Sequence, residues 1–111
     1  MISLVHTKSF SASSAGLTTL LSPRSSAGRL MIFSILYNVN ADITGEVKLF
    51  VGDTLLSGAL NPKTGALYGF NHNPNYLLGG VGDPVKISLP SATATTIDIT
   101  WKETPDYSMT L

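Results

Sequence analysis

The chain has 111 residues, seven basic and seven acidic, two histidines and no cysteine. That length suits one domain with a single hydrophobic core, and the balanced, scattered charge supplies no field of one sign to draw in nucleic acid or an anionic membrane. The absence of cysteine excludes disulfides, thiolate catalysis and cysteine-ligated metal.

In chain order the elements predicted are short strands. Residues 2–10 are rich in strand formers and partly alternating, and Ser11 to Gly16 is a small polar turn. Leu17 to Ser22 makes a second strand, and Pro23 to Gly28 breaks the chain. Residues 29–39 are the most apolar stretch, with Leu30, Met31, Ile32, Phe33, Ile35, Leu36, Tyr37 and Val39. Near-continuous apolarity implies a central strand covered on both faces. The stretch is far below the ~20 residues that span a bilayer, and Met1 to Ser13 lacks the basic start and apolar run of a signal peptide.

Asn40 to Gly45 is a turn in which Asp42 reads as an Asx-type turn residue, since a calcium cage needs more oxygen ligands than Asp42 and Glu46 offer. Glu46 to Val51 alternates cleanly, with Val47, Leu49 and Val51 on one face. Gly52-Asp53 turns the chain into a strand over Thr54 to Leu60, where Gly58 marks a bulge. Asn61 to Gly65 is a turn, Ala66 to Phe70 a short strand, Asn71 to Asn75 a loop and Tyr76 to Leu78 an apolar segment. The glycines of Gly79 to Pro84 read as a hairpin turn; a phosphate loop would need a helix after them, and a strand, Val85 to Leu89, follows instead. After Pro90 to Thr95, residues Thr96 to Glu103 set Ile97, Ile99 and Trp101 against Asp98, Thr100 and Lys102. About eight short strands separated by turn signals predict an all-β fold: an antiparallel, jelly-roll-like β-sandwich over 1–104, with 105–111 as a C-terminal tail and possible interface arm.

The chemistry-bearing residues are sparse. His6 and His72 have no partner at ligand spacing, and no serine sits in a strained Gly-x-Ser-x-Gly elbow. No acid, base and nucleophile converge in the pattern, so neither an enzyme nor a bound cofactor or metal is expected. The aromatics Trp101, Phe33 and Phe50 are expected to fill or cover the sandwich, while Tyr68, Phe70, His72 and Tyr76 flank the 71–75 loop.

Residues 20–103 resemble a group of small β-sandwich proteins encoded in the structural modules of tailed phages. The resemblance rests on Gly28-Arg29-Leu30-Met31-Ile32-Phe33-Ser34-Ile35, on Leu56 to Leu60 (Leu-Ser-Gly-Ala-Leu), on Asn73-Pro74-Asn75-Tyr76-Leu77, on Gly82-Asp83-Pro84-Val85 leading into an alternating strand, and on the closing strand Thr96 to Glu103. The Asn71-His72-Asn73 loop and the tail depart from the pattern. The resemblance implies a virion component assembled in the host cytoplasm: a capsid decoration (cement) protein, binding as a homotrimer to the major capsid protein, with no nucleic-acid or membrane partner. Exposure logic places its contacts at Leu4 and Val5, at the loop residues Asn71, His72, Asn73 and Tyr76, and at Tyr107, Met109 and Leu111 of the tail. The alternative is a tail-fibre or adhesion module that binds host carbohydrate through Tyr68, His72, Asn73 and Tyr76.

Overall fold

The computed structural model describes residues 5–104, so Leu4, Tyr107, Met109 and Leu111 lie outside the described residues. Among these residues there are nine strands and no helix: β1 (His6–Ala12), β2 (Gly16–Leu21), β3 (Arg29–Val39), β4 (Glu46–Val51), β5 (Thr54–Leu60), β6 (Tyr68–Asn71), β7 (Leu77–Leu78), β8 (Val85–Leu89) and β9 (Thr95–Thr104). The ninth strand is β7, two residues within the expected apolar segment that pair with Met31 and Ile32 of β3.

The strands form two antiparallel sheets. One runs β1-β9-β3-β6, with β7 also on β3; the other runs β2-β8-β4-β5. The pairings are nested. β4 pairs with β5, β3 with β6 and β7, β2 with β8, and β1 with β9. This is one long hairpin whose successive pairs alternate between the sheets. The additional ladders β3·β9 and β4·β8 wind it into a roll. The expected jelly-roll-like sandwich is the fold observed.

The period-2 pattern explains which sides face inward. Val47, Leu49 and Val51 of β4, Val85, Ile87 and Leu89 of β8, and Ile97 and Ile99 of β9 are buried, as are Leu30, Ile32, Ile35, Tyr37 and Val39 of β3. On β3 the inward residues step from 32 to 35 because Phe33 is an extra residue: Ile32 pairs with Trp101 and Ser34 with Thr100. This bulge returns Ile35 and Tyr37 to the core side and leaves Phe33 out of the core cluster. Two further bulges of this kind lie at Leu20 on β2 and at Leu56 on β5, the latter two residues before the expected Gly58.

Two turns differ from expectation. The Gly79–Pro84 segment is a crossing between sheets, joining β7 of the five-stranded sheet to β8 of the four-stranded one. Its amides tie it down, with Gly79 N donating to Leu30 O and Gly82 N to Gly28 O. Asp42 does not close its own turn. Its carboxylate accepts from Thr64 N (2.8 Å) and Thr64 Oγ1 (3.0 Å), twenty-two residues onward. Asn61 completes this clamp between loops: its N donates to Gly45 O and its Oδ1 accepts from Gly45 N.

The core sets a clear contrast in stability. Truncating Leu49 or Ile87 to Ala is expected to cost about 2–5 kcal/mol in urea unfolding, because each leaves a cavity between the sheets. Leu60→Ala, at a side chain 73% exposed, should stay within about 0.5 kcal/mol. Gly69→Ala is also expected to destabilise, because Gly69 has φ +109° and an added Cβ would fall on the Ile35 carbonyl oxygen.

Candidate interaction surface

The outer face of the five-stranded sheet has two unlike halves. Over β1 and β9 it is polar: Thr7 and Thr100 share a hydrogen bond of 3.1 Å, and Ser9 Oγ donates to Asp98. Over β3 and β7 it is apolar. Met31 lies directly opposite Leu78 on β7 and opposite Lys102 on β9. Phe33, displaced by the bulge, holds its ring edge-on to Tyr76 with centroids 5.8 Å apart. Tyr76 is 47% and Leu78 46% exposed.

The 71–76 loop is built onto that bulge. His72 N donates to Phe33 O and Asn75 N donates to His72 O. Asn71 Oδ1 accepts from Asn73 N at 3.0 Å, and the Asn73-Pro74 peptide is cis. The loop residues expected to act together are therefore divided. Tyr76 packs with Phe33, whereas the His72 ring lies 5.0 Å from Phe70, a residue on the core side. Tyr68 is engaged elsewhere. Its ring stacks on buried Tyr37 at 5.7 Å, and its hydroxyl accepts a hydrogen bond from Lys63 N at 2.7 Å. One face of the Tyr68 ring is thus covered by Tyr37.

Val5 is exposed and immediately precedes β1. The two histidines sit at opposite sides of the sheet. His6 is on β1, with its ring 5.1 Å from Trp101. His72 follows β6, three strand spacings away, or about 14 Å. They cannot share one metal ion. Among the described residues no three His, Cys, Asp or Glu side chains cluster in a way that could hold a metal.

The other sheet also exposes apolar side chains on its outer face and rim: Leu17, Leu55 and Leu60. Sequence reasoning missed these three exposed positions, the exposed Leu67, Leu78 and Val81, and the half-buried Met31 on the outer face. Met31 was hidden by the continuous apolarity of its strand. Leu78 could be placed only once β7 was known to pair with β3.

Trp101 is half-buried between His6 and Phe10 and packs against the core. It fills the sandwich, and Phe50, half-buried on the outer side of β4, covers it. Edge strand β1 carries its own protection. Lys8 pairs with Ile99, on the inward side of the strand, and its Nζ lies 5.4 Å from the centroid of the Phe10 ring. An inward-pointing charge on an edge strand discourages a second chain from pairing there.

No family model matches the chain, and no curated protein matches it as a relative.

Two titrations report on this framework. Burial, with the neighbouring Tyr68 adding to it, pushes the Tyr37 hydroxyl up to about 12. A raised folded value contributes stability that is complete below the unfolded value near 10 and is lost as pH rises toward 12. In alkaline absorbance titration one tyrosine should ionise late. The urea midpoint should fall between pH 10 and 12, and less steeply in Tyr37→Phe. Asp42 moves the other way, held below the usual carboxylate range first by the Thr64 amide and then by the Thr64 hydroxyl. Its contribution is present at neutral pH and is lost as pH falls through that depressed value. In Asp42→Ala, hydrogen exchange at the Thr64 amide should accelerate while that of β3 stays unchanged.

Proposed function

We propose that the chain is a structural subunit of a virion: a capsid decoration (cement) protein that joins its own copies, as a homotrimer, and sits on the major capsid protein of the shell. One observation carries the reading. The charges of this jelly roll are few, and three of its seven basic side chains pair within the chain, as Lys48–Glu46, Lys63–Asp42 and Lys86–Asp53. Its outer surface meanwhile exposes Leu17, Leu55, Leu60, Tyr76, Leu78 and Val81. Exposed apolar side chains rimmed by polar ones favour contact with other proteins.

The mechanism is mechanical. The nested ladders and the closed core make each subunit a stiff block. Each contact on the shell is weak by itself. Joining three copies makes the second and third contacts intramolecular, and the effective affinity rises without new chemistry. The phage resemblance of residues 20–103 supplies the shell as the larger partner. The carbohydrate reading has less support, because it needs Tyr68 beside His72, Asn73 and Tyr76, and Tyr68 is stacked on Tyr37.

Two measurements test the reading. The purified protein should have the native mass of three copies, and quantitative mass spectrometry of particles should find it at a copy number comparable to that of the shell protein. A handful of copies per particle would move it to the tail, and a glycan array with binding above background would favour adhesion.

A further inference from the structure

The apolar half of the outer face has a charged rim of one sign. By the register of β3 and β9, Arg29, Met31 and Lys102 share that face, with Met31 opposite Lys102 and Arg29 opposite Thr104. Arg29 Nε donates to Gly79 O, and among the described residues no carboxylate pairs with Arg29 or Lys102. The nearby carboxylate of Glu103 is turned to the 23–28 loop, where it accepts from Arg24 N (2.8 Å) and Ser25 N (3.3 Å). The surface formed by Met31, Phe33, Tyr76 and Leu78 therefore suits a segment that offers apolar side chains next to an acidic one.

We propose that this surface on one copy binds residues 105–111 of a neighbouring copy. The proposal rests on the reading that the chain self-associates, and it names the surface and the segment that do so. The segment is Pro105-Asp106-Tyr107-Ser108-Met109-Thr110-Leu111, with one carboxylate followed by three apolar side chains at every second position. Tyr107, Met109 and Leu111 meet Met31, Tyr76 and Leu78 of the neighbour, and Asp106 meets Arg29 and Lys102.

Direction and reach favour a neighbouring copy over the same one. β9 is antiparallel to β3 and passes Met31 at Lys102 before it reaches Arg29 at Thr104. At Thr104 the patch is already behind the chain, so covering its own patch requires a reversal. Reaching a neighbour does not: seven residues span up to about 25 Å. The patch runs along β3 from Arg29 to Phe33, about 14 Å. A contact between two different surfaces is heterologous, and it closes into a ring when the rotation between copies permits. That geometry suits the three-fold arrangement proposed above.

The test uses full-length chains with one surface disabled in each. Leu78→Glu places a charge in the patch, at a side chain 46% exposed. Met109→Glu places one in the segment. Native mass is read by light scattering, and folding by circular dichroism. Each variant alone should weaken association roughly tenfold or more and run as one copy. An equimolar mixture should form a two-copy complex, because one intact patch and one intact segment remain. A mixture that stays at the mass of one copy would overturn the proposal and point to the segment covering its own patch. A wild-type oligomer that neither substitution weakens would overturn it too, while leaving the decoration reading standing. A wild type of single-copy mass would remove both. If Leu78→Glu fails to fold, Lys102→Glu takes its place in the same mixture.

Discussion

The structure depends on the burial of two facing rows of aliphatic side chains, one from each sheet. β3 and β9 supply Leu30, Ile32, Ile35, Val39, Ile97 and Ile99; β4 and β8 supply Val47, Leu49, Val85, Ile87 and Leu89. A strand can contribute to such a core only through alternate residues, so each ladder's register decides whether its apolar set is inside or outside. The nested pairing satisfies that condition in both sheets at once. The central strands β9, β8 and β4 have two neighbours each and β3 has three, and weaker apolar content is left to the edges, β1, β2, β5, β6 and β7.

The core's demand for register also shapes the surface. β3 is too apolar to alternate strictly, and the bulge at Phe33 resolves the conflict by moving the inward set from 30 and 32 to 35, 37 and 39. Its consequence lies on the other side of the sheet. The displaced Phe33 gives Tyr76 a ring to pack against, and its carbonyl anchors the 71–76 loop through the His72 amide. Met31, one residue from the core positions, becomes the floor of an apolar surface whose neighbours come from β7. A single insertion in one ladder thus connects core packing to the surface offered to partners.

The loops are held by polar clamps at both ends of the roll. At one end Asp42, Asn61 and Gly45 bind the β3–β4 loop to the β5–β6 loop. At the other, Glu103 binds the amides of Arg24 and Ser25, and the glycine-rich crossing hydrogen-bonds back to Gly28 and Leu30. These are exposed or half-buried interactions, each worth little alone. They act on loops that contribute few apolar side chains to the core, and so they settle loop conformation more than global stability.

Much of the fold was legible from residue pattern alone. The limits of β4 and β8 follow from alternation, and those of β3 and β5 from runs of strand formers, each bounded by Gly, Pro, Asn or Asp, because a half-buried strand must alternate and a turn must tolerate unusual backbone angles. The inward faces of β4, β8 and β9 follow for the same reason. Pairing was not legible in this way. The crossing at Gly79–Pro84, the reach of Asp42 to Thr64 and the pairing of β7 with β3 join residues far apart in sequence, and local periodicity carries no information about distant partners. The outer patch shows the same limit. The pattern marked Tyr76 and the 71–75 loop as exposed, but Met31, Phe33 and Leu78 read as one more apolar stretch. Only the ladder registers and the bulge, set by packing one sheet on the other, decided that these three face away from the core.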